Sequence, residues 1–193
     1  MNQKHDKQEI LLKGIFLLRR QGYHNTGIND ILQECQIPKG SFYNFFRSKE
    51  DFGLQALELY GESMLRLMQK FTRNEDLSPY ERLVNFLEIT IQANEEEDMQ
   101  YGCLSMNFSV ELAGYKDSFA RLNADIFDYW TEELTACISE AQELGEVRSD
   151  YDAKTLAQFL YTNLFGAYAR GKSERSTNAL RQMVDLSLDN LFT

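Results

Sequence analysis

Apolar positions recur at three- and four-residue spacing along successive segments of the chain, the signature of amphipathic helices. The most informative stretch runs from Thr26 to Lys49, TGINDILQECQIPKGSFYNFFRSK. Ile28, Ile31, Leu32 and Cys35 share one face and predict a helix over 28–35. Gln36-Ile37-Pro38 reads as a tight turn, because Pro38 cannot continue that helix but suits the first turn of the next. The following helix, KGSFYNF over 39–45, is too short to persist in water alone and must be clamped by neighbours. Phe42, Phe45 and Phe46 point inward in this reading, leaving Lys39, Gly40, Ser41, Tyr43 and Asn44 outward. Lys, Ser and Tyr can donate to phosphate oxygens, Gly lets backbone approach closely, and Asn can pair with an adenine edge. Two short helices joined in this way form a helix-turn-helix.

The same periodicity predicts the remaining elements. A first helix over 7–21 carries Ile10, Leu11, Gly14, Ile15 and Leu18 on one face and stops at Gly22. Its Arg19 and Arg20 read equally as helix-end charges or phosphate contacts. Thr26 is a plausible cap for the second helix, with a hydroxyl also placed to reach a phosphate, and Asn29 faces outward in the first turn. Ser48-Lys49-Glu50-Asp51 resembles a capping box and opens a helix to about Phe71. Ser78-Pro79-Tyr80-Glu81 opens another to about Ala93, and Glu95-Glu96-Glu97-Asp98 reads as a solvated loop. Further helices are expected over 102–113, 117–144, 152–170 and 177–191. The broad apolarity of 152–170 implies burial on more than one side, as in a four-helix dimer interface.

The run GYHNTGINDILQECQIPKGSFYNFFRSKEDF is similar to the DNA-binding domain of the TetR family of bacterial transcriptional regulators. Gly22-Tyr23, Thr26, Ile31, Lys39-Gly40-Ser41-Phe42-Tyr43, Phe46 and Ser48-Lys49-Glu50 carry the likeness, which covers residues 8–57. Phe45 departs from it, since many members have histidine there. The resemblance implies an all-α homodimer of about nine helices. Residues 1–50 would form the helix-turn-helix domain and 51–193 a ligand-binding and dimerisation domain. It implies a double-stranded DNA operator met by Thr26, Asn29, Lys39, Gly40, Ser41, Tyr43, Asn44 and Lys49. It also implies a small-molecule effector pocket between the fourth and eighth helices. Met68, Phe86, Cys103, Asn107, Phe127, Trp130, Phe159 and Asn163 are its candidate contacts. The implied function is a repressor released from its operator by a small molecule or electrophile. No cofactor is implied.

Composition adjusts this picture. The net charge of −10 looks wrong for a DNA binder, but residues 1–60 carry 8 Lys/Arg against 7 Asp/Glu, and the rest 12 against 23. The acidity therefore belongs to the C-terminal part. The polar start of the chain and the lack of a membrane-length apolar run point to the cytoplasm. Only His5 and His24 are present, and no metal-ligand spacing, phosphate loop or nucleophile elbow appears, so an enzyme is disfavoured. Cys35, Cys103 and Cys137 form no disulfide framework. Cys35 and Cys137 fall on apolar faces. Cys103 follows Gly102 at a helix start, where a thiol is either activated or simply buried. The segment Gly102-Cys103-Leu104 with Asn107 and Glu111-Leu112 resembles one subgroup of the family, some of whose members sense electrophiles. A helical protein that binds a ligand or partner without specific DNA recognition is the alternative reading.

Overall fold

The computed structural model describes residues 6–97 and 99–190, so His5 and Asp98 lie outside the described residues. The described residues form helices and connecting turns: α1 (Lys7–Gln21), α2 (Ile28–Cys35), α3 (Lys39–Phe45), α4 (Lys49–Thr72), α5 (Pro79–Glu96), α6 (Leu104–Glu111), α7 (Asp117–Glu143), α8 (Ala153–Glu174) and α9 (Asn178–Asn190). Packing divides the chain into two compact units, one reaching Glu62 and adding Cys103–Ile126, the other comprising Ser63–Gly102 and Phe127 onward. This differs from a division at residue 50, because α6 and the start of α7 close on the helix-turn-helix.

The first unit is held by aromatic rings. Phe42, Phe46 and Phe52 are fully buried, with centroids 5.1 Å apart for Phe42–Phe46, 5.0 Å for Phe46–Phe52 and 5.7 Å for Phe42–Phe52. They clamp the seven-residue α3, which lacks side-chain capping. Phe45 is only half-buried. Gly14 makes room for the cluster, since a Cβ there would lie 2.1 Å from Phe52 Cζ. Local signals fix the ends. Asp6 caps α1 by accepting from Gln8 N–H at 3.0 Å. Gln36 adopts the left-handed conformation (φ 55) and closes α2. Pro38 occupies the N-cap of α3 rather than its first turn.

Ser48 Oγ accepts from Asp51 N–H at 3.0 Å, while the Asp51 carboxylate reaches back to Arg47 N–H at 2.7 Å. The box is thus shifted one residue upstream on its return arm. At Ser78 the box is reciprocal, with Ser78 N–H donating to Glu81 and Glu81 N–H to Ser78 Oγ.

In the second unit Leu83, Leu87 and Ile91 of α5 share a core with Leu134 and Ile138 of α7, Leu160 of α8 and Leu180 of α9. Two elements run longer than the sequence suggests. α5 continues through Glu95, which is not in a solvated loop. Its carboxylate accepts from Thr177 Oγ1 (2.8 Å) and Arg181 Nη2 (2.7 Å), partners remote in sequence that stabilise the extra turn. α8 continues to Glu174 and ends at Arg175, which takes the left-handed conformation.

The buried carboxylate of Glu133 accepts from Thr72 Oγ1 (2.6 Å), Gln69 Nε2 (3.2 Å) and the Arg73 guanidinium (2.6 and 3.0 Å). Burial opposes its charge, but these hydrogen bonds outweigh burial and hold the carboxyl below the usual carboxylate range. A depressed pKa stabilises the fold above the unfolded-state pKa of about 4.3, and that contribution fades as pH falls through the folded value. Glu133→Gln should therefore lower the urea midpoint more at pH 7 than at about pH 3. Equal losses at both pH values would refute this assignment. Gly14→Ala should destabilise by about 1–3 kcal/mol through the Phe52 overlap, opposite in sign to the gain of about 1 kcal/mol from helix propensity.

Candidate nucleic-acid interface

The turn between α2 and α3 presents a compact polar surface. Lys39, Gly40, Tyr43 and Asn44 are exposed, Ser41 is half-exposed, and Tyr43 keeps 47% of its surface. Lys39 Nζ lies 6.0 Å from the Tyr43 ring centroid, so cation and phenol stand side by side. A Cβ on Gly40 would meet nothing within 4 Å. The protein's own packing thus leaves that position free for a larger residue, and its bareness opens the backbone to an approaching surface. Asn29 is exposed in the first turn of α2. These residues share an outward-facing rim because Ile31, Cys35, Ile37, Phe42 and Phe46 take the buried positions.

Two candidates occupy different places from those expected. Thr26 is fully buried (0%), and its hydroxyl donates to Gly22 O at 2.6 Å, so it neither caps α2 nor faces a phosphate. Gly27 is the N-cap, its N–H donating to Asp30 Oδ2 at 2.6 Å. The hydroxyl of Thr26 is short enough to satisfy the preceding turn, and its methyl suits the core. Lys49 is half-buried with Nζ 4.3 Å from the Tyr23 ring centroid. Burial lowers its pKa against the attraction of Glu111 and Asp30. The ammonium therefore braces Tyr23 and is not a free surface cation.

The candidate effector contacts separate into groups. Cys103, at the N-cap of α6, is buried and belongs to the first unit with Asn107. Burial pushes its thiol up, while the N–H groups of Met106 and Ser105 and the Tyr60 hydroxyl pull the other way. In the second unit Met68, Phe86 and Trp130 are buried, and Phe127, Trp130 and Tyr161 form an aromatic trio with centroids 5.6–6.0 Å apart. Phe159 and Asn163 do not join them. They line an open groove of about 490 Å³ with Gly166 of α8 and Met183 and Leu186 of α9, and Phe159 is 48% exposed. The helical phase explains this: Leu156, Leu160, Leu164 and Ala167 are the core stripe of α8, and 159, 163 and 166 lie on the stripe beside it. Cys35 and Cys137 are buried, with thiols pushed up by burial to about 11 and about 12, in keeping with core residues.

Sequence reasoning met Glu111 only as part of the subgroup segment and gave it no role. Its carboxylate accepts from Tyr23 N–H (2.9 Å) and His24 N–H (2.6 Å). A carboxylate in the last turn of a helix opposes the helix dipole, and that mismatch was the available signal that it serves an outside partner. The Glu50 ion pair with Lys116 and its 3.1 Å bond from Ser118 Oγ were also not legible locally.

Residues 10–56 match the family described as bacterial regulatory proteins, tetR family. Residues 79–186 match tetracyclin repressor-like, C-terminal domain. The chain is 34% identical to the HTH-type transcriptional repressor DhaR of Mycobacterium sp. (strain GP1), over 96% of this chain and 92% of that protein. It is 31% identical to the transcriptional regulator AcuR of Cereibacter sphaeroides, over 86% of this chain and 76% of that one. The crystal structure of a regulatory protein TetR from Rhodobacter sphaeroides superposes with a TM-score of 0.91 at 29% identity, covering 95% of this chain and 97% of that chain.

The state of Cys103 is open to direct measurement. Its alkylation by iodoacetamide, followed by peptide mass spectrometry, should run at least about tenfold slower in the folded protein than in urea at pH 7.5. The folded-state rate should keep rising above about pH 8.5. Fast alkylation of the folded chain at neutral pH would contradict the buried, protonated thiol.

Proposed function

The chain belongs to the TetR family of bacterial transcriptional regulators, and from that premise we propose how its residues divide the work. It is a DNA-binding regulator acting as a homodimer, and we read it as a repressor that a small molecule releases from its operator. The exposed Lys39–Asn44 rim carries the reading, because it displays phosphate donors and a base-reading amide on a helix the aromatic core holds rigid. DNA recognition is assigned to residues 1–50 and effector binding and dimerisation to 51–193, with α6 reinforcing the first part. Lys39 and Tyr43 contact phosphate, Ser41 and Asn29 support them, Asn44 reads a base edge, and Lys49 positions Tyr23.

The open groove of α8 and α9 is assigned as the face that a second copy covers. Gly166 lies there, and a Cβ on it would meet nothing within the chain, which leaves space for close helix approach. Two recognition helices roughly 34 Å apart can then meet successive major grooves. An effector acts by favouring a conformation with the heads wrongly spaced, to the extent of its differential affinity. Non-covalent binding beside Phe127, Trp130 and Tyr161 is the first reading of the effector step. The second is an electrophile captured at Cys103, favoured by the N–H and hydroxyl donors already placed around the sulfur. The chain is not assigned any enzymatic role, since its relatives are transcriptional regulators. No described helix is long and apolar enough to cross a membrane, which supports a cytoplasmic location.

Fluorescence anisotropy with DNA from the chain's own upstream region, at two salt concentrations, tests the assignment. Lys39→Ala should weaken all sequences alike and reduce the salt slope by about 1, whereas Asn44→Ala should cost about 1–3 kcal/mol and relax preference at one position. Uniform loss from Asn44→Ala would remove it as a base reader. Repeating the titration with iodoacetamide on wild type and Cys103→Ser separates the two effector readings. Relief of binding that requires Cys103 selects the covalent one.

A further inference from the structure

We propose that Glu111 is the positioning residue that holds the helix-turn-helix in its DNA-competent setting, by gripping the corner between α1 and α2. The proposal rests on the reading that the α2–α3 rim binds DNA. Three observations within the first unit carry it. The Glu111 carboxylate takes two consecutive backbone N–H groups, Tyr23 at 2.9 Å and His24 at 2.6 Å, from a segment 87–88 positions away. Such charge-assisted bonds are short and strong, and a pair of them fixes orientation as well as distance. The corner is shaped around the carboxylate: Gly22 turns with φ +82, and a Cβ there would lie 3.0 Å from Glu111 Oε2.

Ring contacts reinforce the carboxylate at the same corner. The Tyr23 ring stands edge-on to Phe108 of α6 (5.8 Å, 87°) and to Phe119 of α7 (5.4 Å, 69°), with Lys49 over its face. His24 stacks on Tyr115 (5.8 Å, 22°), and its Nε2 meets the Tyr115 hydroxyl. Lys116 and Ser118 bind Glu50 at the start of α4. The segment joining α6 to α7 therefore grips the head at two places.

From the gripped corner the connection to the recognition surface is short. Thr26 hydroxyl ties back to Gly22 O at 2.6 Å, α2 begins at Ile28, and α2 carries the turn that sets α3. Freed from Glu111, Tyr23 and His24 lose the two backbone hydrogen bonds that orient the corner, leaving only their ring contacts ahead of α2. Cys103 caps the opposite end of α6, about 12 Å away along an eight-residue helix. A disturbance at that end thus reaches the corner through a single rigid element.

The sign of the effect makes the proposal testable. Glu111→Gln deletes one negative charge, so electrostatics alone predicts tighter DNA binding. The positioning role predicts the reverse: affinity for upstream-region DNA about tenfold weaker, the equivalent of one charge-assisted hydrogen bond, with an unchanged salt slope because no phosphate contact is lost. Amide exchange should accelerate by about tenfold at Tyr23 and His24 and remain unchanged in α5, α8 and α9 of the same sample, which also shows the variant folded. Glu111→Asp, which keeps the charge on a shorter arm, should fall between Gln and wild type in both readouts. Unchanged or tighter DNA binding by Glu111→Gln overturns the proposal, as does unchanged exchange at the two amides. Absence of specific binding by wild type would instead strike the DNA reading, and the exchange data would still decide whether Glu111 holds the corner.

Discussion

Burial of Phe42, Phe46 and Phe52 against one another is the constraint on which the first unit depends. The seven-residue α3 has no capping side chain and too few turns to be stable by itself, so its existence derives from the rings it contributes and receives. Gly14 is part of the same constraint, because only a missing side chain lets Phe52 approach α1. Once the inner face of α3 is committed in this way, its outer face is free of structural duty. Lys39, Gly40, Tyr43 and Asn44 are then available for recognition at fixed positions on a stiff support.

The second unit is built on a different balance. Its helices bury Leu and Ile in the usual way, but they are also joined by charged groups, most of whose partners lie far along the chain. Glu133 collects Thr72, Gln69 and Arg73; Arg82 donates to the carbonyls of Asn74 and Leu77 and to Glu140; Glu95 joins Thr177 and Arg181. A share of the large negative charge of the C-terminal part is thereby paired within the fold, and that of Glu133 is buried. Polar joints of this kind depend on orientation as well as area, since a displaced carboxylate loses several bonds together.

Helix existence, order and most boundaries were legible because the sequence carries local signals for them: period, caps, Pro38 and Ser78-Pro79, and the glycine after α1. At two places where the reading went astray, a remote partner had overridden the local signal. Glu95 looked like loop because its partners lie far along the chain, Thr177 just before α9 and Arg181 on it, and Lys49 looked like surface because the Tyr23 ring that receives it is a tertiary neighbour. Thr26 carried two local readings, and the structure chose a third, the bond to Gly22 O. Phe159 and Asn163 were drawn to the interior by their residue types, although one step of helical phase places them in the groove beside α9. The outward set on α3 was read correctly because a seven-residue helix with a fixed inner face leaves no freedom in phase.

The exposed face shared by α8 and α9 also bears on how the regulator responds to its own abundance. Apolar Phe159, Met183 and Leu186 line that face, assigned above to a second copy, while each chain brings one recognition helix. In the regime where most chains are single, the species able to span both half-sites grows with the square of the chain concentration. Occupancy of the operator then rises more steeply with expression than simple one-to-one binding allows. A modest dilution at cell division, or a modest change in synthesis, becomes a disproportionate change in repression. If the groove assigned to dimerisation joins the chains, it also sets how sharply the circuit responds to dosage.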